Sequence, residues 1–171
     1  MSYLPCELHC HTIHSDGDFT VSELQKAAAD DHLAIIALTD HNTFSGWDEL
    51  DDNIIPAIRG IEWTTYFGHM LVLGANDFVD WRDAQPDNID EKIKQVKAVG
   101  GIVGIAHPYQ LGSPLCTGGR WEFNVRDWRN VDYIEVWHQN LYSAKRENER
   151  ALELWTSLLD KGYKLSLIHI S

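Results

Sequence analysis

Three histidines and an aspartate fall between His9 and Asp16, in the stretch "ELHCHTIHSDG". Imidazole nitrogens and carboxylate oxygens are ligands for divalent metal ions. His9 and His11 are two residues apart. Side chains on a strand alternate between its faces, so both imidazoles leave the same face and can reach one ion. Asp16 lies in an "SDG" turn, which can swing its carboxylate back over the strand end. Further along come Asp40 and His41 in "LTDH", Glu62 in "GIEW", His69 in "GHML" and His107 in "IAHP". A carboxylate has two oxygens, so Glu62 could bridge two ions. A cluster of divalent ions lowers the pKa of a bound water and neutralises charge on an anionic substrate. The chemistry that suits this set best is hydrolysis of a phosphoester.

Taken one at a time, these residues say little. A histidine beside a proline, as at His107, is commonly structural. A lone His-x-His or a "TDH" strand end is ambiguous. Their joint placement after apolar runs carries the inference, because burying so many imidazoles and carboxylates without a cation is costly. His14 lies in the loop and reads either as a substrate or supporting group or as a solvated side chain. His32 suits a helix C-terminus, where the dipole favours a cation. Cys10, between the two candidate ligands, should point the other way, into packing. No cysteine has a CxxC partner, so a structural zinc site is not expected. The acidic run Asp48–Asp52 reads as a solvated face.

The elements that must position these groups follow from periodicity. Leu4–His11 reads as a short strand. Thr20, with Glu23 three residues later, forms a capping box that opens a helix through "VSELQKAAADDH". "LAIIALTD" is an apolar run ending in polar residues, as in a strand buried on both faces. "SGWDEL" reads as a short helix. "IIPAIRGIEWTT" and "GHMLVLGA" read as strands, a possible pair joined at "YFG". "NIDEKIKQVKAVG" is a helix with Ile89, Ile93, Val96 and Val99 on one side, ended by Gly100. "GIVGIAHP" is a buried strand, followed by a long loop, Tyr109–Asn130. "VDYIEVWH" is a strand, "SAKRENERALELWTSLLDKG" a long helix, and "YKLSLIHIS" the start of another strand. Strands alternating with helices argue for parallel βαβ units. His9, His11, Asp40, His41, Glu62, His107 and His138 then fall at the C-terminal ends of strands, where barrels of this kind build active sites.

The 171 residues are the size of one ordinary domain. Hydrophobic residues make up 44%, enough for a core. The formal net charge is -12, which argues against a basic nucleic-acid groove. Bound cations can reverse the local sign of charge, so anionic substrates stay open. There is no long apolar run and no signal-peptide pattern. Three cysteines, Cys6, Cys10 and Cys116, are an odd and sparse count. That suggests reduced thiols and a cytoplasmic location. Neither a large nucleic-acid surface nor a membrane partner is expected, and the oligomeric state stays open.

In order, "ELHCHTIHSDG", "ALTDHNT", "GIEWTT", "GHMLVLG" and "IAHP" resemble the motif series of the PHP (polymerase and histidinol phosphatase) metallohydrolases. The stretch "IAHPYQLGSPLCTGGRWEF" with "IEVWH" resembles the branch of carbaryl-hydrolase-like enzymes. The resemblance implies an α/β fold, a distorted (β/α)7 TIM-like barrel, with two or three divalent ions (zinc, manganese or iron) at its C-terminal face. By motif, His9 and His11 would hold the first ion, and Glu62 would bridge the first and second. His69 and His107 would complete the second, and Asp16 and His41 would hold the third. The family's late SDAH-like motif has no counterpart before the chain ends. The expectation is therefore a PHP domain over 1–164 that lacks its last strand or strands. Residues 165–171 form a doubtful tail resembling translated sequencing-adapter text.

The expected activity is metal-dependent phosphoester hydrolysis of a small substrate or a nucleotide end. Glu62, Arg120 and His138 are the candidate catalytic groups. Arg120 could fork onto a phosphate; a surface arginine is its plain alternative. His138 could protonate a leaving group or hold substrate; a supporting histidine is its alternative. Two rival readings are a carboxylic or carbamate ester hydrolase and an inactive metal-binding fragment.

Overall fold

A computed structural model describes residues 4–111, 119–137 and 144–169. The chain divides into two compact units, residues 1–62 and 63–171. His138 and Cys116 lie outside the described residues.

The first unit is built on parallel strands. Strand β1 (Cys6–Cys10) pairs with β2 (Ile35–Leu38), and β2 with β3 (Ala57–Thr65), whose last three residues run on into the second unit. Helix α1 (Val21–Asp30) makes the crossover between β1 and β2. Its start is set by the expected capping box. The Glu23 N–H donates to Thr20 Oγ1 at 3.3 Å, and the Thr20 N–H donates to Glu23 Oε2 at 2.9 Å. The helix stops two residues earlier than expected, because His32 takes a left-handed backbone (φ 60°) that no helix can continue. Cys10, Ala28, Ile36 and Ile55 form a core, with Leu24, Leu33, Ile54 and Ala57 packed against it. The short helix expected at "SGWDEL" is a single 3-10 turn, Trp47–Glu49.

The second unit contains β4 (Gly68–Leu73), α2 (Ile89–Ala98), β5 (Ile102–Ile105), β6 (Tyr133–Trp137), α3 (Lys145–Asp160) and β7 (Ser166–His169). Strands β5, β6 and β7 pair in parallel. Residues 166–169, from the stretch read as a doubtful tail, thus form a strand beside β6. α2 packs on β5 through Ile89, Ile93 and Val96, all buried, and α3 packs on β6. Gly100 ends the α2 segment at φ 81°, a conformation that costs glycine little.

Strand β4 departs from the parallel βαβ pattern and neighbours β3 as the pair expected at "YFG". It runs antiparallel to β5, with Met70 opposite Ile105 and Leu73 opposite Ile102. The cause is local. Only Tyr66 and Phe67 separate β3 from β4. A two-residue connection reverses the chain, whereas parallel strands need a crossover of a dozen or more residues. The turn is held by Thr65 Oγ1, which donates to the Gly68 carbonyl at 2.8 Å and accepts the Phe67 N–H at 3.1 Å.

Candidate metal centre

Strand β1 delivers the first two imidazoles. His9 is buried in the strand and His11 follows its end. Their Nε2 atoms lie 2.9 Å apart, so period-two alternation does place both rings on one face. Cys10 takes the opposite face and joins the core. Burial, with Glu7 and Asp40 nearby, pushes its thiol above the usual range.

The next loop folds Asp16 back over the strand end. The Thr12 carbonyl accepts the N–H groups of Ser15 and Gly17, both at 3.0 Å. The turn is so tight that a Cβ on Gly17 would sit 2.3 Å from the His11 carbonyl oxygen. This is why glycine follows the aspartate. Asp16 ends 3.7 Å from His11 Nδ1 and 3.4 Å from His41 Nε2. His11, Asp16 and His41 each offer one ligand atom, and these lie within 4.8 Å of one another.

His41 and Glu62 come from neighbouring parallel strands. Glu62 was expected at a strand end but lies inside β3. β3 outruns its partner: β2 stops at Leu38, level with Arg59, and an isolated parallel bridge then pairs His41 with Glu62. Glu62 therefore sits just past the end of β2, level with the histidine. Its Oε2 lies 2.9 Å from His41 Nδ1, 3.2 Å from His9 Nε2 and 3.3 Å from His11 Nε2, and the residue is 0% exposed.

Burial and the neighbouring His9 lower His11 to about 4, against the pull of Glu62, so its ring is neutral at pH 7 and offers a lone pair. At His41 burial also favours the neutral ring, but the hydrogen bond and charge of Glu62, with Asp16, outweigh it and raise the pKa. One buried carboxylate oxygen ringed by three imidazole nitrogens is a mixed nitrogen and oxygen donor set. Such a set fits zinc, iron or manganese.

In the second unit, His69 and His107 are both buried, with ring centroids 5.0 Å apart. His107 has an unusual φ of 25°. Its N–H donates at 2.9 Å to Oε2 of Glu135, a 0% exposed carboxylate on β6. Sequence reading missed Glu135; its signal was an acidic residue inside the apolar run "YIEVW". Arg120 is exposed and lies opposite Tyr109 in an antiparallel bridge. His138 falls outside the described residues. His14 is a strap: its Nδ1 meets Ser45 Oγ and its Nε2 meets Glu49 Oε1, both at 2.8 Å. Glu49, Asp51 and Asp52 of the acidic run thus have side-chain partners, His14, Asn53 and the Ala57 N–H.

Residues 7–104 match the PHP domain family. Two uncharacterized proteins of Methanocaldococcus jannaschii are similar in sequence. MJ1295 is 28% identical over 109 residues, covering 64% of this chain and 48% of its own length. MJ1587 is 29% identical over 153 residues, covering 80% and 85%. A two-domain protein from Bacteroides vulgatus, containing a predicted PHP-like metal-dependent phosphoesterase, superposes with a TM-score of 0.70 at 22% identity, covering 98% of this chain and 51% of its own. An amidohydrolase from Chromobacterium violaceum, with bound sulfate and no metal, gives 0.63 at 17% identity, covering 97% and 86%. The chain therefore spans about half the length of the first of these relatives and of the Bacteroides protein.

Proposed function

We propose that this chain, which belongs to the PHP domain family, carries the metal-binding centre of a metal-dependent phosphoesterase acting on a small phosphoester or a nucleotide end. The observation that carries the reading is Glu62. Its buried Oε2 meets three imidazole nitrogens at 2.9 to 3.3 Å. A carboxylate in that position is satisfied best by a shared cation.

His9, His11 and Glu62 are the proposed ligands of one ion, and Asp16 and His41 those of another. His69 and His107 of the second unit are proposed as ligands as well. Two or three ions of zinc, manganese or iron are the proposed complement. Bound there, they would supply an activated water and positive charge for anionic ester oxygens. The chain's own contribution is to hold these groups in place. Neutral His11 offers its lone pair without first losing a proton, and Glu62 balances the positive charge. Arg120 is a proposed contact for a substrate anion and His138 a proposed proton donor to the leaving group.

One resemblance supports the phosphoester over other hydrolysable groups. The Bacteroides neighbour contains a predicted phosphoesterase. The test is metal content by mass spectrometry, together with hydrolysis of 4-nitrophenyl phosphate, bis(4-nitrophenyl) phosphate and 4-nitrophenyl acetate, with and without added Mn²⁺ or Zn²⁺. Metal-dependent release from a phosphoester is expected. Release from the acetate alone would move the reading to a carboxylic ester hydrolase. Bound metal without turnover would leave a metal-binding module.

A further inference from the structure

Asp40 is not among the expected ion ligands, although His41 is. Its side chain is 2% exposed and takes three short hydrogen bonds from one loop. Oδ1 accepts the Thr12 N–H at 2.7 Å and the Ser15 hydroxyl at 2.6 Å, and Oδ2 accepts the Thr12 hydroxyl at 2.8 Å. Its backbone carbonyl accepts the Glu62 N–H at 3.3 Å. Asp40 therefore touches every segment that brings a group to the His11, Asp16, His41 and Glu62 cluster. It grips the loop from His11 to Asp16 by hydrogen bonds, holds His41 by the peptide bond, and meets Glu62 across the strands.

We propose that Asp40 is a positioning residue of the metal centre. It fixes the His11–Asp16 loop against His41, so that these ligands are already spaced for an ion before one arrives. The inference rests on the metal-centre reading above. It also accounts for part of the motif that ligand chemistry leaves over. In "HTIHSDG", Thr12 and Ser15 carry the short hydroxyls that reach Asp40. Between them, Ile13 is 58% exposed and His14 turns to Ser45 and Glu49. A buried carboxylate held by three donors is geometrically stiff. A ligand loop tied to it cannot drift when the ion is absent.

The experiment uses the whole chain and the variants Asp40→Asn, Ser15→Ala and Thr12→Val. An amide matches the carboxylate in shape, but it carries no charge and its NH2 cannot accept the Thr12 hydroxyl, which must turn round to accept instead. Mn²⁺ affinity is read by electron paramagnetic resonance, and the fold of the metal-free protein by circular dichroism. Asp40→Asn should stay folded yet bind at least one Mn²⁺ about 10- to 100-fold more weakly, the usual size of an effect on the groups that orient metal ligands. Ser15→Ala should show a smaller loss. The double variant Asp40→Asn with Ser15→Ala should lose less than the product of the two single losses, since both change the same contact. A merely structural role would lower the melting temperature and leave the affinity of the folded protein unchanged; that result overturns the inference. If Asp40→Asn does not fold, unchanged Mn²⁺ affinity in both Ser15→Ala and Thr12→Val overturns it equally. If the wild-type chain binds neither Mn²⁺ nor Zn²⁺, the metal-centre reading fails and takes this inference with it. Wild-type binding with indifferent variants sinks the inference alone.

Discussion

His69 opens its strand and His107 follows the end of another, yet their rings lie 5.0 Å apart at an interplanar angle of 75°. The reversal at Tyr66–Phe67 makes this possible. Because β4 runs antiparallel to β5, the start of one strand lies beside the end of the other, and the Ala106 N–H donates to the His69 carbonyl at 3.2 Å. Had β4 been parallel to β5, the same two histidines would sit at opposite ends of the pair.

Glu62→Gln should weaken metal binding by more than about 100-fold, because it removes the charge that three imidazoles share and exceeds the effect of changing a supporting group. His14→Ala should change it by less than about tenfold, since His14 ties Ser45 to Glu49 and contacts no proposed ligand in that role. Metal per chain and turnover at saturating Mn²⁺ would be measured for both. Equal losses would remove Glu62 from its shared position.

Gly17→Ala should destabilise the chain and loosen the metal site together. The new Cβ would meet the His11 carbonyl oxygen at 2.3 Å and the rest of the His11–Thr12 peptide just beyond, and that backbone has little room to yield. The expected cost is on the order of 1–3 kcal/mol, as for other forced overpacking. Urea unfolding of the metal-free protein measures the first effect and Mn²⁺ titration the second. An unchanged urea midpoint would mean that the turn is softer than its geometry implies.

Glu135→Leu should cost about 1–3 kcal/mol by leaving the buried His107 N–H without its acceptor. Glu135→Gln keeps an acceptor oxygen and should cost clearly less. The comparison is made by urea unfolding. Similar losses for the two would show that the carboxylate's charge, not the hydrogen bond, is what the site requires.

Adding Mn²⁺ or Zn²⁺ should raise the melting temperature, and a chelator should lower it. At an ion concentration about 100 times Kd the stabilisation is about 2.7 kcal/mol. For a chain of this size that is roughly 5–10 °C. Affinity should also rise with pH. Burial favours the neutral His41 ring, but Glu62 and Asp16 outweigh it and raise its pKa above the ordinary imidazole value, so an entering ion competes with a proton that is held more firmly than on a free imidazole. His11, lowered to about 4, has none to lose near neutrality. Calorimetry in two buffers of different ionisation enthalpy would detect proton release. Release that does not grow as the pH falls from about 8 to about 6 would contradict the assignment of His41.

Local pattern was enough to read most elements and the ligand types. The Thr20 and Glu23 capping box, the apolar stripe of α2, the shared face of His9 and His11, and the inward turn of Cys10 all depend on residues a few positions apart. Spacing in the chain carries that information. The level of Glu62 beside His41 depends on how far β3 outruns β2, which is a matter of strand register. The proximity of His69 to His107 depends on strand direction. The three bonds of Asp40 span 25 to 28 residues, and the bond from His107 to Glu135 spans 28. Hydrogen bonds between distant segments are chosen by the packing of whole elements, so no periodicity announces them. The sequence by itself determined which residues could hold an ion. Only the tertiary structure decided which of them share Glu62 and which buried carboxylates hold the others still.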